Sequence, residues 1–425
     1  MRQILQQALA FLPVVAALAI SSGCGSEGSS EPASTISLSG TVDAGYGSAG
    51  RIAVAGGSIA VDSAGNVFVG DLVVTKFNAA GSPAGDFVDG APAPAAQTHV
   101  VVDLSGNVYS VYAVADGHFV LVKRDATGWP VESFGQAGRV DLNAVRSFVS
   151  VGAVFVDGSG NVYLDGVWIP PLSARPVFHF IIKLDSVGRQ VTSFGAGTDA
   201  SLEVASILEL QPARTSVDAA GNIFVAYSFI PGTAVVEKFD ANGQPVAGFR
   251  ADSTPTPCAN PRALSRPLAV ARDAAGNTYV GGTCFWGSET RDRVFVVKLD
   301  TSGRLVTAFG EGGMVADFFV ANPVANPSGA GMSTALTGLQ PAADGGLYVA
   351  ASAEDDPCAG VAIVKLGADG RRADAFGSHG VATVDLSIGA MMAVDSSARL
   401  YVGGRVRPTC PITLPATFAV YRLNG

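Results

Sequence analysis

A two-part repeat is the feature that most restricts how this chain can fold. The first part is a turn motif, Asp-x-x-Gly-Asn, followed by an apolar run, as in Val61–Gly70 (VDSAGNVFVG). The second part has a basic residue, a glycine five positions later and an aromatic residue six positions after that, as in Val294–Gly310 (VFVVKLDTSGRLVTAFG). The two parts alternate along the chain. Copies spaced by roughly 40 to 70 residues are typical of propellers and solenoids.

The repeat can be followed through seven copies, although the sixth turn motif is degraded. The first parts begin at Val61, Val102, Val156, Val217, Arg272, Pro341 and Val394. The basic residues of the second parts are Lys76, Lys123, Lys183, Lys238, Lys298, Lys365 and Arg422. The aromatic residues that follow are Phe87, Phe134, Phe194, Phe249, Phe309 and Phe376. The Phe-Gly-x-x-Gly ending is lost after Phe87 and Phe249 and altered after Phe194, which predicts the least regular turns there.

Each copy predicts four short strands, named a to d. Strand a ends at the Asp of the turn motif, where Asp bonds local backbone amides and Gly accepts a positive φ. Strand b is the apolar run after the turn, strand c carries the basic residue, and strand d is expected to close on the aromatic residue. The runs are almost continuously apolar, which is typical of sheets that are covered on both faces.

The two ends of the chain complement each other. The seventh copy stops at strand c, in Phe418–Gly425, without its turn glycine or strand d. The segment Gly40–Gly50 (GTVDAGYGSAG) supplies the missing half and matches Gly303–Gly313, with Tyr46 as its aromatic residue. The sequence therefore predicts an all-β fold, a seven-bladed β-propeller of four-stranded blades. In this fold an N-terminal strand completes the C-terminal blade and removes the unpaired sheet edges.

These motifs resemble the delta-60 repeat, a β-propeller repeat of bacterial exported proteins, and are similar to NHL-type repeats. The resemblance covers residues 40–425 and its motifs are specific for the fold. It implies a propeller of largely uncharacterised role, so it assigns no catalytic residue and no cofactor to this chain.

The N-terminus reads as an export signal. Residues 1–24 contain a positive start at Arg2 and an apolar stretch, Ala8–Ile20, that is too short to be a good membrane span. Cys24 follows small residues and resembles the lipidated cysteine of the bacterial lipobox, although Ser21 stands where Leu is usual. An ordinary cleaved or retained signal is the alternative. The absence of Asp at position 25 favours the outer membrane, residues 25–35 form a polar tether, and residues 36–425 are assigned to the propeller.

Composition argues against nucleic-acid binding. The net charge is −9, from 27 basic and 36 acidic residues, and the lysines are spread one per repeat instead of forming a basic face. We therefore expect no nucleic-acid partner, and contact with a membrane only through the lipid anchor.

The cysteines other than Cys24 suggest disulfides, because an even number in an exported chain is typical of paired thiols. They are Cys258, Cys284, Cys358 and Cys410. Because strands alternate in direction, all four fall on the face that carries the b–c and d–a loops, here called the looped face. The opposite face, with the a–b and c–d turns, is the turn face. The favoured pairing is Cys258–Cys284 with Cys358–Cys410; Cys284–Cys358 is a rival, and free thiols are a third reading.

The recurring polar residues are interpreted as structural. The turn aspartates lack the further oxygens that a calcium loop needs at alternate positions. The basic residue of strand c is expected to pack its stem and to direct its head at a repeat carboxylate. His118 and His179, both at the start of a strand c in adjacent blades, could act in metal binding or as a general base, but two scattered histidines do not define a site. We predict no metal site.

The looped face is the predicted recognition surface, because long variable loops on a rigid scaffold are the usual place for binding. Its large aromatic and charged residues are the candidate ligand-binding residues, although the aromatic residues could instead only cap the propeller. They are Trp168, Phe285, Trp286, Arg293, Asp355, Asp356 and Arg407.

Three functions remain open from the sequence. The first is a binding scaffold in the bacterial cell envelope, facing the periplasm or cell surface, for a macromolecule or glycan. The second is a propeller enzyme, such as a lyase, a hydrolase or a quinone-dependent dehydrogenase, with polar groups at the mouth of the central channel. The third is a structural or adhesive envelope component. An exposed apolar patch would favour a partner surface.

Overall fold

The structure, a computed structural model, covers the repeats and most of the turns between their strands. It describes residues 40–87, 89, 96–114, 117–145, 150–168, 178–195, 200–204, 214–227, 233–249, 254–255, 264–285, 293–316, 334–353, 360–406 and 417–425. Residues 1–24 and 25–35, the predicted signal peptide and tether, lie outside these ranges, so the export signal and the lipidation of Cys24 remain predictions.

The described residues are almost entirely β-strand. The first strands are β1 (Arg51–Val54), β2 (Ser58–Val61), β3 (Val67–Gly70), β4 (Val74–Phe77), β5 (Ala96–Val102), β6 (Val108–Ala113), β7 (Phe119–Arg124), β8 (Arg139–Asp141), β9 (Ser150–Val156), β10 (Val162–Trp168), β11 (Phe178–Leu184) and β12 (Ser201–Val204). The later strands are β13 (Arg214–Val217), β14 (Ile223–Tyr227), β15 (Thr233–Phe239), β16 (Thr254–Pro255), β17 (Leu264–Arg272), β18 (Thr278–Phe285), β19 (Arg293–Leu299), β20 (Met314–Ala316), β21 (Thr334–Pro341), β22 (Leu347–Ala353), β23 (Val361–Leu366), β24 (Val381–Val384), β25 (Leu386–Val394), β26 (Leu400–Val406) and β27 (Phe418–Leu423). A single helix, α1 (Leu142–Val145), accompanies them in the described residues.

The strands form seven antiparallel sheets, one for each copy of the repeat. Blades 1 to 6 are β2–β4, β5–β8, β9–β12, β13–β16, β17–β20 and β21–β24, and blade 7 is β25–β27 with β1. Six sheets have four strands, and the sheet of blade 1 has three within the described residues. In each blade the strands lie side by side in the order a, b, c, d, as the repeat predicts.

The seven blades close into a ring. The strand a of each blade contacts the strand a of both neighbouring blades, from β2 through β5, β9, β13, β17 and β21 to β25, which returns to β2. A closed series of inner strands defines a propeller around a central axis. The predicted fold class is therefore confirmed.

The N-terminal strand closes the last blade. Strand β1 pairs antiparallel with β27, with Arg51 opposite Tyr421 and Val54 opposite Phe418. This is the pairing that the complementary chain ends predicted. It gives the C-terminal strand a neighbour from the other end of the chain.

Strand d was placed wrongly from the sequence. The segment that ends on the aromatic residue makes only an isolated bridge to strand c, such as Arg124 with Pro130, and strand β8 begins later, at Arg139. The reason is that Phe-Gly-x-x-Gly forms a second turn. Gly135 and Gly138 both have a positive φ (59° and 83°), which redirects the chain before strand d.

The aromatic residue of this second turn packs inside its own blade. In every blade it contacts the aromatic residue of strand b, with ring centroids between 5.4 Å and 6.0 Å apart and mostly edge to face. The pairs are Phe68–Phe87, Tyr109–Phe134, Tyr163–Phe194, Phe224–Phe249, Tyr279–Phe309, Tyr348–Phe376 and Tyr401–Tyr46.

The glycine after the aromatic residue connects neighbouring blades. The amide of Gly135 donates to the carbonyl oxygen of Val187 in blade 3 at 2.8 Å, and the amide of Gly310 donates to Asp369 in blade 6 at 2.7 Å. Blades 1 and 4 lack this glycine. Their aromatic residues, Phe87 and Phe249, are half-buried, whereas the other five are buried. Two of the three blades predicted to have irregular turns at this ending, blades 1 and 4, are therefore the ones in which the aromatic residue is least enclosed, whereas Phe194 of the third is buried.

None of the helices within the described residues combines the length and the hydropathy that a bilayer crossing requires.

Candidate functional site

The turn face is built from repeated, internally satisfied turns. In the first a–b turn, Asp62 Oδ1 accepts hydrogen bonds from the amides of Ala64 and Asn66 at 3.0 Å and 2.8 Å, and Oδ2 accepts from Asn66 Nδ2 at 2.7 Å. Equivalent bonds occur at Asp103, Asp157 and Asp218. These carboxylates are engaged by their own turns, which supports a structural role. No group of three or more His, Cys, Asp or Glu among the described residues is arranged to hold a metal.

The basic residues of strand c are also part of the scaffold. The Lys298 ammonium lies 4.9 Å from the ring centroid of Tyr279 and 5.6 Å from that of Phe309. The Lys183 ammonium donates to the carbonyl oxygen of Ala241 in the next blade at 2.8 Å. Only some of these basic groups form an ion pair with a carboxylate. Lys365 does so, with Nζ 2.9 Å from Oδ2 of Asp344. The aromatic pair provides the main contact because the ammonium lies above the ring faces.

The inner strands lose their regular pairing with strand b near the looped face. Strand a is bulged in five blades, each time in the half of the strand nearest that face. Shifts of register occur in β5 between Gln97 and His99, in β17 between Pro267 and Ala269, in β21 between Leu336 and Gly338, in the β9–β10 pair at Asp165, and twice in β25. Bulges re-aim side chains and are frequent next to functional sites.

A buried acid–imidazole pair lies at this end of blade 3. His179 Nε2 is 2.6 Å from Asp165 Oδ1, and the two side chains are 7% and 4% exposed. They share one face of the sheet, because Asp165 lies opposite Ile181, two residues from His179 on β11. The same face carries Tyr163, which packs against Ile223 and Val225 of blade 4. The pair therefore faces the interface between blades 3 and 4.

The repeat indicates which position of blade 4 faces Asp165. At the equivalent position in blade 7, a Cβ on Gly403 would contact Ile59 of blade 1, at 2.8 Å from its Cγ2. In blade 5, a Cβ on Gly281 would lie 2.7 Å from Cδ2 of Leu336 and 3.0 Å from Cδ1 of Leu339, both on β21 of blade 6. Ile59 and Leu339 both stand three residues before the turn motif's first position. The residue at that place in blade 4 is Thr215, on β13.

All three positions are apolar or small in the other blades. The residues equivalent to Asp165 are Gly70, Val111, Ala226, Gly281, Ala350 and Gly403. Those equivalent to His179 are Leu72, Phe119, Ala234, Val294, Val361 and Phe418. Those equivalent to Thr215 are Ile59, Val100, Val154, Val270, Leu339 and Met392. At the interface between blades 3 and 4 these three positions hold an acid, an imidazole and a hydroxyl in place of the apolar or small residues of the other blades. These three residues are called the polar floor below.

Three buried atoms of the polar floor have no hydrogen-bond partner within the described residues: His179 Nδ1, the Thr215 hydroxyl and Asp165 Oδ1. The contact of Asp165 Oδ1 is the ion pair with His179 Nε2, so His179 Nδ1 and the Thr215 hydroxyl are the two that have no polar contact. A buried polar atom without a partner costs free energy, of the order of 1–3 kcal/mol, so such atoms call for a function or for a water or ligand.

His99 adjoins the polar floor from the other side. Its Nε2–H donates to the carbonyl oxygen of Gly152 at 2.9 Å, at the bulge of β9. Burial lowers the pKa of His99, and the Gly152 hydrogen bond and the Asp165 charge oppose that effect. His118, which the sequence grouped with His179, is exposed on blade 2. Of the two histidines that the sequence grouped, only His179 belongs to the polar floor, and the histidine beside it is His99.

The candidate residues named from the sequence are mostly beyond the described part of the chain. Trp168 ends β10, three residues after Asp165, and Phe285 and Arg293 lie at the adjoining ends of β18 and β19. Their backbones are therefore at the looped face, as predicted. The remaining candidates, Trp286, Asp355, Asp356 and Arg407, are outside the described residues, so their role stays a prediction.

Of the four cysteines predicted to form disulfides, Cys284 lies within the described residues. Cys284 is buried on β18, opposite Ser265 and Arg293 in the sheet, at the looped end of blade 5. Cys258, Cys358 and Cys410 lie outside the described residues. The pairing remains a prediction.

Asp165 is the functional candidate that motif reasoning missed. The signal was present in the sequence, because Val162–Trp168 (VYLDGVW) is the only strand b of the repeats with an acid at this position. It becomes visible when the copies are compared with one another position by position.

Comparisons with known proteins find similar solved structures but no matching family. No model of a known protein family matches the chain, and no curated protein sequence matches it. Among solved structures, it is similar to a polysaccharide lyase, an ulvan lyase, with 12% identity and a TM-score of 0.48 over 88% of this chain and 95% of that chain. A protein of unknown function from Dyadobacter fermentans has 9% identity and a TM-score of 0.44 over 88% and 99% of the two chains.

A third similar structure is the calcium-binding protein regucalcin from Agrobacterium tumefaciens, with 13% identity and a TM-score of 0.36 over 89% and 96% of the two chains. The assignment of the fold rests on the strand topology described above. The resemblance to the delta-60 repeat stays a prediction.

Proposed function

We propose that this protein is an exported, lipid-anchored β-propeller that binds a glycan or another macromolecule of the bacterial cell envelope through its looped face. The observation that carries the proposal is the polar floor between blades 3 and 4. It lies at the same end of the blades as the variable loops, and its residues depart from the repeat where the scaffold alone would be served by apolar side chains.

The chemistry of the polar floor favours a ligand rich in hydroxyl groups. Asp165 is acceptor-only when it is ionised, and the Nδ1 of neutral His179 is an acceptor when Nε2 carries the proton. Thr215 can donate or accept. Acceptors match a ligand that brings donors, and a glycan brings many. The last residue of β10 is Trp168, and tryptophan is a residue type that suits the apolar face of a sugar.

A repeat-consensus variant tests the proposal. Asp165→Ala, His179→Phe and Thr215→Val together give the interface the apolar character that it has in the other blades. We expect the purified variant to lose binding to envelope glycans, measured on immobilised polysaccharide fractions and by capture from envelope extracts. His118→Gln is the matched control, because His118 is an exposed histidine of the same face outside the polar floor. Unchanged glycan binding by the triple variant would contradict the proposed site.

The anchor has a separate test. Cys24→Ser should move the protein from the membrane fraction to the soluble fraction of the envelope. Retention of the variant in the membrane would contradict lipidation at this residue, whatever the result of the binding experiment.

Enzymatic activity is the second candidate, and the Asp165–His179 pair is the observation that favours it. An imidazole held against a carboxylate can take up a proton in general acid–base catalysis. A lyase or hydrolase would release new sugar ends from polysaccharide fractions, and His179→Gln would abolish that release. Binding without release of sugar ends would favour the scaffold.

A further inference from the structure

Two large apolar side chains project from the turn face, opposite the proposed binding loops. Leu104, in the a–b turn of blade 2, is 86% exposed, and Trp129, in the c–d turn of the same blade, is 62% exposed. The two turns are adjacent, because a Cβ on Gly106 would lie 3.4 Å from the Cβ of Ala126. Blade 2 thus carries an exposed apolar pair on an otherwise uniform face.

The repeat shows that neither side chain is needed for the turns. The residues equivalent to Leu104 are Ser63, Gly158, Ala219, Ala274, Ala343 and Ser396. Those equivalent to Trp129 are Ser82, Arg189, Gln244, Arg304, Arg371 and Thr41. Small or polar residues make the same turns in the other blades, so the apolar pair is an addition to the scaffold.

The chain enters the propeller on this same face. Gly40 occupies the c–d turn of blade 7, where its amide donates to the carbonyl oxygen of Asn424 at 2.5 Å. A Cβ on Gly40 would lie 2.3 Å from the amide nitrogen of Gly377, in the c–d turn region of blade 6. A lipid on Cys24 would therefore be connected to the turn face. A chain spans at most about 3.5 Å per residue, so the fifteen residues 25–39 limit the distance between the lipid and Gly40 to about 50 Å at full extension.

We propose that the blade 2 turns, through Leu104 and Trp129, insert into the lipid surface to which Cys24 tethers the chain. The turn face then rests on the membrane and the looped face points away from it. The proposal rests on the lipid anchor of the proposed function and adds the orientation of the propeller. Tryptophan is enriched at membrane–water interfaces. A single acyl chain holds a protein to a bilayer only weakly, so a second, apolar contact would strengthen the association with the membrane.

Charge restricts the nature of this contact. The net charge of −9 gives no attraction to anionic lipids. The carboxylates nearest the pair, Asp103 and Asp125, accept hydrogen bonds from amides of their own turns. The contact should therefore be apolar, present on zwitterionic vesicles and insensitive to salt.

Quenching of tryptophan fluorescence by brominated lipid tests the proposal. The full protein, purified from membranes with its anchor, is reconstituted into phosphatidylcholine vesicles whose acyl chains carry bromine. We expect quenching in the natural protein and its loss in Trp129→Ser. Leu104→Ser should weaken the insertion and lower the quenched fraction, by about tenfold in the partition of this face between water and bilayer. Leu72→Ser is the control, because Leu72 is 49% exposed on the looped face.

The outcomes separate the two proposals. Quenching that persists in Trp129→Ser would place the tryptophans of the looped face at the membrane and overturn the orientation. Membrane association with no quenching would overturn this inference alone. A protein that is absent from the membrane fraction would overturn the anchor and the inference with it. Quenching that requires anionic lipid or disappears in high salt would contradict an apolar contact.

Discussion

Arg422 and Asp43, near opposite ends of the chain, form an ion pair in which Nη2 of Arg422 lies 2.6 Å from Oδ2 of Asp43. The same guanidinium donates to the carbonyl oxygen of Ala79 in blade 1 and lies 4.6 Å from the ring centroid of Tyr46. One side chain therefore connects the N-terminal segment, the last strand and the first blade. It occupies the place of the strand c lysine, and here arginine supplies the several donors that three partners require.

Removal of the Arg422 side chain should destabilise the protein where the two ends of the chain close the ring. We expect Arg422→Ala to lower the free energy of unfolding by about 2–4 kcal/mol, because it removes a nearly buried charge-assisted contact and the stem that covers Tyr46. Urea unfolding followed by circular dichroism measures the change. The control is Arg371→Ala, whose side chain is 89% exposed and lies 3.8 Å from Asp369. It should cost less than about 0.5 kcal/mol. Equal losses in the two variants would contradict a special role of the closure.

Blade 4 replaces a tyrosine hydroxyl with an arginine from the next blade. Tyr163 donates its hydroxyl to Asp157 at 3.1 Å within blade 3, but the equivalent residue in blade 4 is Phe224. There Arg272 of blade 5 reaches Asp218 with Nη1, and its guanidinium lies 4.1 Å from the Phe224 ring centroid. In five of the other copies the residue before the Asp position is valine, and this includes Val102, next to blade 1, whose strand b also carries phenylalanine (Phe68). We therefore expect the arginine to replace the hydroxyl in blade 4 alone.

A double-mutant cycle tests this compensation. Arg272→Val should destabilise the protein by about 1–3 kcal/mol, because it leaves Asp218 with one fewer partner and uncovers Phe224. Adding Phe224→Tyr should recover part of that loss by restoring the hydroxyl, whereas Phe224→Tyr alone should give no gain. The measurement is the coupling free energy from urea unfolding of the four proteins. Strictly additive effects would show that the two residues do not substitute for each other.

The sequence predicted the fold well because each blade repeats the same physical solution. The complementarity of Gly40–Gly50 with the unfinished seventh copy showed that the N-terminal end of the repeats closes blade 7, although the closing strand β1 begins just after that segment, at Arg51. Strand d was misplaced because short apolar runs around Phe134 look the same in a strand and in a turn. Only the positive φ of Gly135 and Gly138, which sequence patterns do not show, separates the two.

The candidate site was predicted in part. The long loops predicted the face that carries the polar floor, and His179 is one of its residues. Asp165 and Thr215 were missed because each is unremarkable alone, and their relation depends on which residues of neighbouring blades touch. Which positions of neighbouring blades face each other is a tertiary property. It can be found in sequence only by aligning the copies and asking where two facing positions become polar together.

Substitutions at two glycines of blade 5 can distinguish the cost of backbone strain from the cost of a steric clash. Gly310 and Gly312 both have a positive φ (59° and 64°), so alanine is strained at either position. A Cβ on Gly310 would meet the carbonyl oxygen of Met314, whereas a Cβ on Gly312 would have no atom within 4 Å. We expect Gly312→Ala to cost about 1 kcal/mol and Gly310→Ala at least about 3 kcal/mol. Thermal unfolding of both variants checks the difference, and similar melting temperatures would argue against the Phe-Gly turn as a close backbone contact.

His99 should make stability depend on pH near neutrality. Its pKa is lowered by burial, so the folded protein binds the proton less readily than the unfolded chain does. The stability from its neutral form is complete above the ordinary pKa of 6.5 and decreases as the pH falls below that value. His99→Gln should therefore lose less stability than the natural protein between pH 7 and pH 5. A His99→Gln profile that follows that of the natural protein would contradict the assignment.

Stability can also show whether the polar floor exists for the fold or for a ligand. Replacing a buried charged pair with apolar residues of similar volume is often neutral or stabilising, whereas removing one partner alone is costly. The triple variant Asp165→Ala, His179→Phe and Thr215→Val should therefore unfold at the same or a higher urea concentration than the natural protein. Asp165→Ala alone should be less stable by about 2–3 kcal/mol, because it leaves the His179 imidazole buried with one fewer partner. If the triple variant were also strongly destabilised, the polar floor would be a requirement of this interface, and the argument that its residues are kept for binding would fail.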